Sequence, residues 1–214
     1  MPVAISGSGT ISGVSVGGLP DGIVDTDMLA ATAVTDGKIA NTTISEGKLS
    51  TSVNTITMVD SWKINTAYSQ SAGHGAVTAN WERIVTNGPQ WTSIGSPLTQ
   101  SSGEFTFPST GKYWIQFHFL GRSNGAGTQD YVGARIFVSQ NGGTGYNNYS
   151  WAYTNSWAND CYFSCCNVCI LDVASTTNTK FLMNTECHSS TLWFGNNTNN
   201  LTASGFTVMR LGDT

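Results

Sequence analysis

Charge is what this chain has least of. Lys, Arg, Asp and Glu make up 10% of its 214 residues, and the formal net charge is −4. That leaves no basic patch for a phosphate backbone and no run of like charge, so nucleic-acid binding is not expected. Long apolar runs are missing as well. None approaches the roughly 18 residues of a membrane span, which excludes helical membrane insertion. Residues 1–22 have neither the basic start nor the apolar centre of a secretory signal, and the expectation is a protein made in a cytosol. The five cysteines are an odd number, which without a signal argues against a disulfide framework and for buried thiols. No long amphipathic helical pattern is present, and no Gly-x-Ser-x-Gly elbow supports a hydrolytic triad.

What is present is glycine, small polar residues and rings. The sequence has 24 Gly, 7 Trp, 7 Tyr and 9 Phe, with abundant Ser, Thr and Asn, a composition that suits many short strands joined by turns. Residues 103–119, GEFTFPSTGKYWIQFHF, set the pattern. A short strand over 104–107 meets Pro108 and Gly111, and a longer one follows over 112–120. Alternation places Tyr113, Ile115, Phe117 and Phe119 on one face and Lys112, Trp114, Gln116 and His118 on the other, as in a strand with one side against a core. Further strands are expected over 58–64, 80–84, 91–94, 132–139, 148–153, 161–173, 179–187, 192–194 and 205–211, with a Gly/Ser/Asn loop over 121–130. This is an all-β sandwich or jelly roll.

The front quarter is different. Residues 1–19 scatter Val3, Ile5, Ile11, Val14 and Val16 among Gly and Ser, too thinly to fold without a partner. From Ile23 a ten-residue unit recurs: IVDTDMLAAT, AVTDGKIANT, TISEGKLSTS. In register it aligns Val24, Val34 and Ile44, then Leu29, Ile39 and Leu49. So small a unit must be covered by neighbours, and three parallel copies around an axis would do it. The organisation expected is an extended segment over 1–22, a trimeric stalk over 23–56 and a head over 57–214.

Several motifs then resemble a known family. Residues 101–119, with their Gly-x-Phe-Thr strand, Pro/Gly turn and Tyr-rich strand, resemble a segment of C1q-like domains. Residues 134–142 resemble that family's later strand and turn, residues 168–183 its strand pair, and residues 204–209, SGFTVM, its last strand. The resemblance spans roughly residues 58–214. It implies a ten-stranded C1q-like jelly roll that trimerises, usually on a fibrous stalk; no counterpart of some members' calcium loops is visible. Residues 11–30 are similar to the N-terminal region of bacteriophage tail-fibre-like proteins, particularly marine and cyanobacterial ones. Residues around Trp62, 80–83 and 105–111 resemble phage versions of the head. Together these imply a virion protein: a homotrimer attached to other virion proteins through Val3, Ile5, Ile11, Val14 and Val16.

Candidate chemistry is sparse. His74, His118 and His188 are scattered. Cys166-x-x-Cys169 has zinc-ligand spacing, but on a strand the two point to opposite faces, so no metal is expected. Glu82, Glu104, Asp130, Asp160, Asp172 and Glu186 form no evident pair. No catalytic residue and no cofactor are expected. Saccharide recognition is the stronger reading, because aromatic faces stack on sugar C–H surfaces while Asn and Ser bond the rim. It falls on residues 146–157, YNNYSWAYTNSW, and 193–200, WFGNNTNN, with Tyr146, Trp157, Trp193, Asn196 and Asn197 as the candidate ligand-binding residues. For Tyr149, Trp151 and Tyr153 the expectation is packing into the core or a trimer interface, with saccharide contact as the alternative. The expected function is adhesion to a host-surface glycan; the alternatives are a capsid-decorating head fibre or cement protein, and a depolymerase.

Overall fold

The structure is a computed structural model that describes residues 4–5, 11–12, 29, 34–35, 38–40, 43–44, 56–84, 93–125, 128–196 and 202–214. The chain divides into two units, Met1–Val53 and Asn54–Thr214. In the first, β1 (Ala4–Ile5) pairs antiparallel with β2 (Ile11–Ser12), setting Ala4 opposite Ser12 and Ile5 opposite Ile11. Val3, Val14, Val16, Val24 and Leu49 lie outside the described residues. Leu29, Val34, Ile39 and Ile44 are exposed. Tight turns close where Lys38 N–H donates to the Thr35 carbonyl at 2.8 Å and Thr43 N–H to that of Ala40 at 3.1 Å.

The second unit begins with β3 (Val59–Ile64), β4 (Tyr68–Gln70), β5 (Gly73–Ala76), β6 (Trp81–Arg83), β7 (Thr99–Ser101) and β8 (Glu104–Thr106). The long strands follow: β9 (Gly111–Ser123), β10 (Gln129–Ser139), β11 (Asn147–Ser156), β12 (Tyr162–Val173) and β13 (Lys180–Cys187). The short β14 (Thr191–Trp193) and then β15 (Gly205–Gly212) complete it. One sheet runs β11-β10-β13-β8-β7, with β5 also on β13. The other runs β4-β14-β9-β15-β3-β6, with β12 on the far side of β9. Every pairing is antiparallel.

The two sheets face each other across a core rich in rings. Tyr113, Ile115, Phe117 and Phe119 all point into it, as their alternation requires. Phe105 stacks on Phe181 at 5.1 Å and meets Trp62, Trp81 and Phe206 edge-on at 5.2, 5.3 and 4.7 Å. Burying each such ring is worth about 2–3 kcal/mol. A buried carboxylate closes one end of the core. Asp60 accepts from Trp62 Nε1 at 3.0 Å, from Leu98 N–H at 2.9 Å and from Arg83 Nε at 3.1 Å.

The loop expected over 121–130 is shorter: β9 continues to Ser123 and β10 starts at Gln129. Gly121 is there for packing, not for a turn. A Cβ on it would come within 2.7 Å of the Phe163 ring and 3.0 Å of Trp193. Side chains then hold the strand ends, as Ser123 Oγ donates to the Ala158 carbonyl at 2.6 Å and the Gln129 amide to that of Ser190 at 2.7 Å. The strand expected over 91–94 lies partly outside the described residues; Ile94 bridges to Val59.

Candidate functional site

Strand parity exposes two unlike surfaces. On β10 the side chains of Val132, Ala134, Ile136 and Val138 fill the core, so Tyr131, Gly133, Arg135 and Phe137 face outward. The register carries this face across the sheet in rows: Tyr153, Gly133, Glu186 and His74, then Trp151, Arg135, Asn184 and Ala76. Gly133 decides the local shape. A Cβ there would lie 2.2 Å from the Ala152 carbonyl oxygen and 2.5 Å from Tyr153 Cδ1, so the Tyr153 ring rests on bare backbone.

Around that ring the groups interlock. Tyr131 meets it edge-on at 6.3 Å and 89°, and the Arg135 guanidinium lies 5.5 Å from its centroid. The Glu186 carboxylate pairs with Arg135 and accepts the Tyr153 hydroxyl. Tyr131, Arg135, Tyr153 and Glu186 line a shallow recess of about 250 Å³. Trp151, 56% exposed, and the exposed Tyr149 continue the aromatic line along β11. The core expectation for Tyr149, Trp151 and Tyr153 therefore does not hold, because Ser150 and Ala152 occupy the core side of β11.

Tyr146 lies on a second recess of about 300 Å³, with Ala76, Ser102, Glu104 and Leu182 among its walls. Its hydroxyl donates to Glu104, whose other oxygen takes Lys180 Nζ at 2.6 Å. Burial draws the Glu104 carboxyl upward, but the Lys180 and Tyr146 hydrogen bonds and the Lys180 charge outweigh it and hold it below the usual value. Burial, reinforced by that carboxylate, pushes the Tyr146 phenol up.

The other candidates separate. Trp157, just after β11, is 78% exposed. Trp193 is a correction: it is 0% exposed, packed edge-on against Phe119 and Phe163 at 5.7 and 5.4 Å, so it offers no face to a ligand. Its neighbour Phe194 takes the opposite side and stacks on the exposed Tyr162 at 5.5 Å. Asn196 is half-buried and donates its N–H to the Ile64 carbonyl at 2.8 Å, while Asn197 lies outside the described residues.

The second surface is the outward face of the other sheet. One row runs Ile170, Trp114, Met209 and Val59 across β12, β9, β15 and β3, and the next Val168, Gln116, Thr207 and Ser61. Neither row carries a charge. Ile170 is 64% exposed and Val168 is exposed beside it. His118 follows on β9, opposite Cys166 and Gly205; burial holds its pKa below the ordinary value despite a hydrogen bond from its ring to the Thr202 backbone.

Groups that could carry catalysis are dispersed. His74, His118 and His188 belong to different rows, and His188 Nδ1 lies 3.6 Å from Asp130. Glu82, Glu104, Asp130, Asp160 and Glu186 each have a basic partner. All five cysteines are free thiols. Burial pushes Cys165 up to about 12 and Cys169 up to about 11, away from thiolate chemistry. Cys166 is exposed on the face opposite to Cys169. Among the described residues no three of His, Cys, Asp and Glu gather as metal ligands would.

Sequence reasoning missed Tyr131, Gly133, Arg135 and Glu186. The usable signal was Gly133, since a glycine inside a strand marks close approach.

The two antiparallel sheets form a jelly roll with the fold of TNF domains. Eiger TNF from S. frugiperda superposes with a TM-score of 0.56 at 14% identity, covering 75% of this chain and 96% of that one. Murine APRIL at pH 5.0 gives 0.50 at 12% identity, over 72% and 98% of the two chains. The globular domain of zebrafish complement 1qA protein gives 0.44 at 10% identity, over 74% and 99%. No family model matches the sequence, and no curated protein does.

Proposed function

We propose that the protein is a homotrimeric bacteriophage virion fibre whose jelly-roll head recognises a host-surface glycan without altering it chemically. The observation that carries the trimer is the uncharged face centred on Ile170, Trp114, Met209 and Val168. A face depleted of charge and rich in apolar groups suits burial against another copy of itself. The exposed repeat positions Leu29, Val34, Ile39 and Ile44 support a stalk in which sister chains cover one another. The resemblance of residues 11–30 to phage fibre proteins supports attachment to the particle by the N-terminal segment. Three head sites on one axis gain through effective concentration what each lacks alone.

The test has two arms. Immunogold electron microscopy of virions separates a tail fibre from a capsid decoration. Labelled full-length protein incubated with host cells must be retained, and released polysaccharide must keep its chain length. Absence of retention rejects adhesion, and shortened chains reject the non-enzymatic reading.

A further inference from the structure

The geometry points to the outward recess of β10, β11 and β13, lined by Tyr131, Arg135, Tyr153 and Glu186, as a binding site for a neutral pyranose. This rests on the recognition reading above and gives it a place and a ligand class. Four observations converge. Gly133 lets the Tyr153 ring lie across the strand, and Tyr131 stands edge-on beside it, forming an apolar corner of the kind that takes a sugar's C–H face. Arg135 and Glu186, both largely buried, stand beside that ring and neutralise each other. Arg135 Nε is buried without a hydrogen-bond partner. On the adjacent strand, opposite Arg135, Asn184 is 5% exposed with its Oδ1 unpartnered.

The charge pairing selects the ligand. A hydroxyl both donates and accepts, so vicinal hydroxyls can bridge a carboxylate and a guanidinium held side by side. A sialate or sulfate would gain Arg135 but confront Glu186, and an ammonium the reverse. Trp151 and Tyr149 follow at about 7 Å intervals along the strand, which extends the platform beyond one ring.

The experiment uses the full-length protein on an array of neutral hexose- and deoxyhexose-terminated oligosaccharides with their sialylated and sulfated counterparts, beside a host-cell retention assay. Wild type is expected to bind neutral members. Tyr153→Ala and Tyr131→Ala should each weaken binding at least tenfold, with sedimentation and melting unchanged, and Trp157→Ala should have little effect. Glu186→Gln, which leaves Arg135 unbalanced, should shift preference toward the anionic members. The inference is overturned if wild type binds only anionic glycans, if Tyr153→Ala and Tyr131→Ala bind as wild type, or if binding follows Trp157 alone. It is also overturned if Tyr153→Ala changes the oligomeric state, since the face is then a subunit contact. Cell retention that persists in any of these cases leaves adhesion standing, whereas loss of wild-type retention rejects adhesion itself.

Discussion

Asp60 is the residue whose removal tests the core most directly. It holds Trp62, Arg83 and the Leu98 amide at once, and the Arg83 guanidinium also lies 4.6 Å from the Trp62 ring centroid. Asp60→Ala leaves the Trp62 and Leu98 N–H groups without this acceptor and the Arg83 guanidinium, which keeps its bond to the Leu98 carbonyl, without its counter-charge, an expected loss of about 3 kcal/mol in denaturant unfolding. His118 tests the second surface through pH. Burial depresses its folded pKa, so below the ordinary value of about 6.5 the unfolded chain binds more protons than the folded one. Stability should therefore fall as pH drops through that window and be flat above it. His118→Gln should remove the difference between its unfolding midpoints at pH 7.5 and 5.5 relative to wild type; an equal slope in both proteins rejects the assignment. Neither role is visible in sequence. Asp60 is an ordinary acid two residues before Trp62, and its partners lie up to 38 residues away.

At the scale of strands, legibility followed alternation. β9, β10, β12, β13 and β15 were readable because apolar residues recur every second position, and on β9 the inward face is the expected one. β4 and β7 were not, because Tyr68–Gln70 and Thr99–Ser101 are held by polar contacts. Gln70, for instance, donates to the Thr185 carbonyl at 2.9 Å and accepts from Trp193 Nε1 at 3.3 Å. The same parity argument corrects the site: odd positions on β11 face outward, whereas Trp193 on β14 faces in. It also predicts the subunit face. Ile170 is exposed in the lone chain and central to an uncharged row. Ile170→Arg should leave the melting of the isolated chain within about 0.5 kcal/mol of wild type while converting a sedimenting trimer to monomer. A trimer that survives the substitution would place the contact elsewhere.

For the whole molecule, the two units differ in what they can bury alone. Among the described residues the hydrophobic cluster lies in Asn54–Thr214, and that unit builds a core of its own. Leu29, Val34, Ile39 and Ile44, by contrast, stay exposed. Each aliphatic side chain gains about 1.5–3 kcal/mol only when fully covered, and ordering a residue's backbone costs about 1–2 kcal/mol. These four positions gain that contribution only where sister chains cover them. Order in this region should therefore depend on protein concentration while order in the head does not. Lys38 lies beside Ile39 inside the repeat and is exposed, which makes trypsin a local probe. Cleavage there should be slow in the assembled protein and fast after dilution below the association midpoint, with residues 54–214 surviving as an intact fragment in both. Equal protection of Lys38 in a verified monomer would mean that the front quarter is ordered from within its own chain, and the stalk reading would lose its physical basis.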